Sequence, residues 1–152
     1  MKVNKTTLWV LSFCAAMTII VPAIMDLNST HMTNPLWAPH ARFHWSLQYF
    51  GTTAFNIIAL FLLWGNYKEK GSRLSIITAS LAPLLFWGAF FPSLLMPGIS
   101  TWPDGMTPFA PIAPNVPMAA VISLLCLYAL RKDARARAAS VDGFVCVKEI
   151  PG

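Results

Sequence analysis

Four apolar runs, each long enough to cross a lipid bilayer, dominate this chain of 152 residues. A helix needs about 20 mostly apolar residues to span the hydrocarbon. Leu8 to Met25, Trp45 to Trp64, Leu74 to Met96 and a fourth run over about 113–130 all approach or exceed that length. The fourth begins between Ile112 and Val116 and ends at Leu130. With 56% hydrophobic and 11% charged residues, the chain is more apolar than a soluble core of this size can absorb. The expected fold class is all-α: an integral membrane four-helix bundle forming a single domain over 1–130, followed by a basic tail over 131–152.

Lys and Arg near the ends of spans are retained on the cytoplasmic side. Lys2 and Lys5 precede the first run, Lys68, Lys70 and Arg73 occupy the second connection, and Arg131, Lys132, Arg135, Arg137 and Lys148 follow the fourth. Every cation except Arg42 therefore falls on one side of a four-span chain, with both termini cytoplasmic. The net charge of +5 then reflects topology and attraction to anionic lipid, not a nucleic-acid partner. Lys2 and Lys5 before an apolar run resemble a secretory leader, but the run is too long and no small-x-small cleavage site follows it. A lipobox at Cys14 is ruled out by the bulky Phe13. Cys14 and Cys126 lie in spans and Cys146 in the tail, so no disulfide framework is expected.

This topology puts two connections, Asp26 to His44 and Pro97 to Asn115, on the non-cytoplasmic side, where both are expected to be ordered. The second carries Pro97, Pro103, Pro108, Pro111 and Pro114. Proline at that density fixes φ and withholds backbone donors, giving a non-helical cover over the bundle mouth. Pro117 suits the first turn of the fourth helix. Pro83, Gly88 and Pro92 should kink the third helix and open a cavity between helices. The short connection from Gly65 to Arg73 makes the second and third helices an antiparallel hairpin. Beyond Leu130 no periodic apolar face is evident, and that stretch reads as mobile.

Asp26, His31, His40, Arg42, His44 and Asp104 all fall in the two outer connections, so every histidine of the chain is there. If the second helix begins at Pro39, a residue well suited to a first helical position, it is about 39 Å long by Trp64 and exceeds the hydrocarbon thickness. Its first turns then stand at headgroup level, and His40, His44 and Gln48 share one stripe on them. Trp37, Trp45 and Tyr49 supply interfacial aromatics. Three readings of this constellation stand side by side. In the first, the histidines and Asp26 form a general acid/base site. In the second, His40 and His44 hold a divalent metal, with His31 or Asp26 completing the ligand set. In the third, Asp26 pairs with Arg42 and the histidines bond loop carbonyls, which locks the loop over the bundle. Arg42 either holds an anionic group or pairs with Asp26 or Asp104. Asn56, in the middle of the second run, is expected to bond across helices. Trp87, Phe90 and Phe91 are packing residues or the lining of an apolar pocket.

The pattern Asp26-x-Asn28-x-Thr30-His31-x-x-Asn34-Pro35-x-Trp37-x-Pro39-His40-Ala41-Arg42-Phe43-His44 resembles the signature of a family of small four-span membrane proteins, mostly of unassigned function. That resemblance implies that Asp26, Asn28, His31, Asn34, His40, Arg42 and His44 belong to one shared site or one shared loop fold. The layout of spans is also similar to the emopamil-binding sterol isomerases, which hold polar residues inside a helical bundle and act on apolar ligands. Their intramembrane glutamates are absent here, so the likeness is one of architecture.

The functional expectation is a membrane-embedded enzyme acting on a lipid-like or terpenoid molecule by isomerisation, hydration or cyclisation. His40, His44, Asp26 and His31 would be catalytic, and Arg42, Asn28, Asn34, Gln48, Trp37 and Asp104 would bind substrate. No cofactor is assigned on this reading. The expected partner is a membrane lipid or hydrophobic small molecule, and an oligomer is compatible with it. The alternatives are a non-catalytic membrane protein that binds lipid or assists a partner, and a metal-dependent enzyme using His31, His40 and His44.

Overall fold

The computed structural model describes residues 4–65, 71–102 and 108–148, with side chains described as far as residue 139. Every regular element among them is a helix: α1 (Lys5–Asp26), α2 (Pro39–Trp64), α3 (Arg73–Gly88), the single turn α4 (Phe90–Ser93) and α5 (Asn115–Lys148). Counting α3 and α4 as one run from Arg73 to Ser93, four helices are long and apolar enough to cross a membrane.

Each boundary has a local cause. Asn4 caps α1 by accepting the amide of Thr6 at 2.9 Å. At the other end the Asn28 side chain donates to the carbonyls of Ile24 and Met25, two acceptors a helix terminus otherwise leaves open. Pro39 starts α2, with its ring where an amide would have no partner. Ser72 caps α3, accepting from the amide of Ser75 at 3.1 Å, and Gly71 just before it turns the chain with φ of 64°. The expected break in the third run falls at Gly88 and Ala89, between α3 and α4, whereas Pro83 is carried inside α3.

The fourth helix does not stop at Leu130. It continues without interruption to Lys148, so the stretch read as mobile from its lack of an apolar face is helical. Ala and Arg, which alternate from Ala134 to Ala138, are strong helix formers. The extension is also held. Arg137 Nε donates to Asp133 Oδ2 one turn back at 2.7 Å, and its Nη2 donates to the Gly71 carbonyl at 3.2 Å. Asp133 is buried beneath this contact, so its charge is compensated where it sits.

α1 and α3 touch across the centre of the bundle, each packing also against α2 and α5, which occupy the outer corners. The core is built from small side chains that let backbones approach, as membrane helices favour. Ala59, Ala79, Ala82 and Ala129 surround Leu11 and Ile76 toward the end that carries the termini. Cys14, Ala119 and Cys126 surround Trp87 toward the end that carries the two long connections. Trp87 Nε1 donates to Thr18 Oγ1 at 2.9 Å, and Thr18 donates in turn to the Cys14 carbonyl at 2.7 Å, which ties α3 to α1 in the interior. Many other bulky apolar residues face outward: Phe50, Phe61, Leu74 and Leu85 are each more than 60% exposed. A face of this size would be a severe liability in water and is ordinary against lipid.

Candidate functional site

The first connection folds around two asparagines. Because Asn28 Nδ2 is spent on the carbonyls of Ile24 and Met25, its Oδ1 is an acceptor, and it receives both the amide of Thr30 at 2.8 Å and the Thr30 hydroxyl at 2.6 Å. Asn34 repeats the device one turn later, accepting the amide of Leu36 at 2.9 Å. Asn28 and Asn34, expected to bind substrate, thus spend these side-chain groups on the loop itself.

That arrangement fixes a histidine. The proton of the Thr30 hydroxyl points at Asn28, so Thr30 Oγ1 meets His31 Nδ1, 2.8 Å away, with a lone pair. With the Thr30 hydroxyl donating to Asn28, the network assigns the hydrogen of this contact to Nδ1, which in the neutral ring leaves Nε2 unprotonated. Asp26 Oδ1 lies 3.7 Å from the same Nδ1. The other oxygen of Asp26 accepts Trp45 Nε1 at 2.8 Å, a contact from α2. Trp37 presents its ring at right angles to His31, with centroids 5.2 Å apart. Among the described residues Nε2 has no hydrogen-bond partner.

Asp26 and His31 stand at the rim of a cavity of about 280 Å³ between α1, α3, α4 and the start of α5. Trp87 and Phe90 line it from the bundle, and Trp102 and Phe109 from the second connection, their rings edge-to-face at 4.7 Å. A second cavity of about 240 Å³ lies on the α2 side of Asp26, lined by Trp45, Gln48, Tyr49 and Thr52 among others. Asp26 is the polar residue common to both. An apolar chamber with a few convergent polar groups is the usual form of a small-molecule site.

His40 and His44 are placed differently. Both rings are exposed on the first turns of α2, and their Nε2 atoms lie 2.9 Å apart, so a single proton can bridge them. They line neither cavity beside Asp26. The metal reading needs a third ligand, and among the described residues no three His, Cys, Asp or Glu side chains converge. The locking reading is also changed in its details. Arg42 donates from Nη2 to the Asn34 carbonyl at 2.6 Å, not to Asp26, which is engaged by Trp45 and His31. Asp104 lies outside the described residues. Asn56 bonds the Thr52 carbonyl of its own helix at 2.9 Å in place of a neighbouring helix.

Two contributors were not evident from the sequence. Thr30, which sets the His31 tautomer, carries a faint signal in its position two residues after Asn28, a common turn spacing. Trp45 reads as an interfacial aromatic, and its bond to Asp26 across 19 residues of chain is purely tertiary.

A family model described as "Family of unknown function (DUF6640)" matches residues 10–141, a stretch that takes in both long connections and most of every helix. No curated protein and no solved structure gives a significant match.

Proposed function

Because the chain belongs to this family, whose description assigns no activity, we propose a function from the chemistry of the site: acid/base catalysis on a lipid-like or terpenoid molecule within the membrane. The host bilayer is crossed four times, and the distribution of Lys and Arg puts both termini on the cytoplasmic side. The site then opens toward the non-cytoplasmic face.

The observation that carries the reading is the chain Asn28–Thr30–His31, which orients one imidazole at the rim of an apolar cavity with its Nε2 unengaged. In this mechanism Nε2 accepts a proton from the substrate. The Asp26 carboxylate offsets the charge that forms on the ring, the Nε2 proton exchanges with solvent, and the ring then delivers a solvent-derived proton to another substrate atom. Isomerisation fits this cycle best, since it begins and ends with the same protonation state. Hydration or cyclisation would use the imidazolium as the acid. Trp87, Phe90, Trp102 and Phe109 would enclose the hydrocarbon part. Arg42, Asn28 and Asn34 act by holding the loop, and Gln48 faces the smaller cavity.

Solvent deuterium tests the proposal directly. The protein is reconstituted in lipid nanodiscs in D2O with a membrane lipid extract or terpenoid alcohols, and mass spectrometry reads deuterium gained on carbon. Label should appear with the wild-type protein and vanish with His31→Gln. The competing reading, a non-catalytic binder of lipid, draws on the same cavity. It is favoured if lipid co-purifies in stoichiometric amount while neither label nor product forms.

A further inference from the structure

The opposite end of the bundle carries a second chemically ordered surface. Leu124, Leu127, Tyr128, Arg131, Lys132 and Arg135 line one groove of about 560 Å³ on α5. Their spacing of three and four residues keeps them on one face of the helix. Along that face the chemistry changes within a turn, from exposed leucines to cations, with Tyr128 at the change.

Lys132 is held at this boundary. Its Nζ donates to the Tyr128 hydroxyl at 3.3 Å and lies 5.5 Å from the centre of the same ring. Arg131 and Arg135 are exposed and make no hydrogen bond or ion pair among the described residues. The one acid described nearby, Asp133, is buried and engaged by Arg137. The groove therefore joins an apolar floor to positive charge that has no counter-ion among the described residues. α5 continues as helix beyond this point, which keeps the cations in register with the leucines.

We propose that this groove is a binding site for one anionic phospholipid. An acyl chain lies along Leu124 and Leu127, the phosphate sits between Arg131 and Arg135, and Lys132 closes the headgroup side. A zwitterionic lipid has the same chains but places a cation where the groove is already positive. Each cation near an anionic membrane surface strengthens binding severalfold, so removing two should weaken it roughly thirtyfold. The inference does not depend on the acid/base reading of the cavity at the other end.

Native mass spectrometry of the full-length protein, titrated with phosphatidylglycerol or with phosphatidylcholine of matched acyl chains, tests it. One phosphatidylglycerol per chain should be retained, with phosphatidylcholine lost at the same activation energy. Arg131→Gln with Arg135→Gln should abolish the difference. Arg73→Gln, an exposed cation at the start of α3 outside the groove, should change retention less than about twofold. Equal retention of the two lipids would overturn the proposal, as would an equal loss with Arg73→Gln, which would mean diffuse attraction. Displacement of the lipid by inorganic phosphate alone would replace it with a free-anion site.

Discussion

His31 and His40 each have a ring nitrogen within 3 Å of a partner, yet the two surroundings differ in every property that matters for chemistry. His31 Nδ1 meets a hydroxyl whose own proton is already committed, and a carboxylate stands beside it at the rim of an apolar chamber. His40 meets His44, another imidazole, on an exposed turn of α2. In the first pair the direction of the hydrogen bond is set by Asn28 acting through Thr30; in the second, either ring can be the donor. Helical spacing brings side chains together, but only the surrounding fold gives a nitrogen a defined task.

The comparison breaks most readily at His31. His31→Gln should lower deuterium exchange into substrate by about a thousandfold, the scale expected for a lost acid/base group. A loss below about tenfold would mean that the ring is a strut and not a base. Asp26→Asn keeps an acceptor for Trp45 but removes the charge facing His31. Exchange should fall by about a hundredfold, with thermal stability close to that of the wild type. Thr18→Val leaves the indole N–H of Trp87 without its partner behind the cavity wall. It should cost about 1 kcal/mol in a detergent-unfolding titration and alter exchange only slightly. Smallest of all, the double variant His40→Gln, His44→Gln should exchange within about twofold of the wild type, as an acid/base role for that pair would not allow.

How much of this was legible in the chain depends on the range of each interaction. The positions of the four long apolar helices followed from hydropathy, which is local, and the break after Gly88 and the start at Pro39 followed from backbone chemistry that is equally local. The length of α5 was also written locally, in the Ala and Arg of 134–139, but in helix propensity and not in an apolar face. The site was legible only in part. That Asp26, Asn28, His31 and Arg42 gather near one loop follows from their closeness in sequence. Which of them touch does not. The choice of Asp26 between Arg42 and Trp45 is made by how α2 stands against α1, and Arg42 is drawn instead to a carbonyl that exists only once Asn34 has turned the chain. Likewise, the aromatic chamber needs Trp102 and Phe109 from the second connection to meet Trp87 and Phe90, residues far removed along the chain.

Everything proposed for the cavity rests on which nitrogen of His31 bears the proton. Nitrogen-15 NMR of histidine-labelled protein in nanodiscs reads this directly, with His31→Gln used to assign its signals. In neutral His31 the account predicts a protonated, pyrrole-like Nδ1 and an unprotonated, pyridine-like Nε2, lost or mixed in Thr30→Val. A neutral ring protonated at Nε2 in the wild-type protein would contradict it.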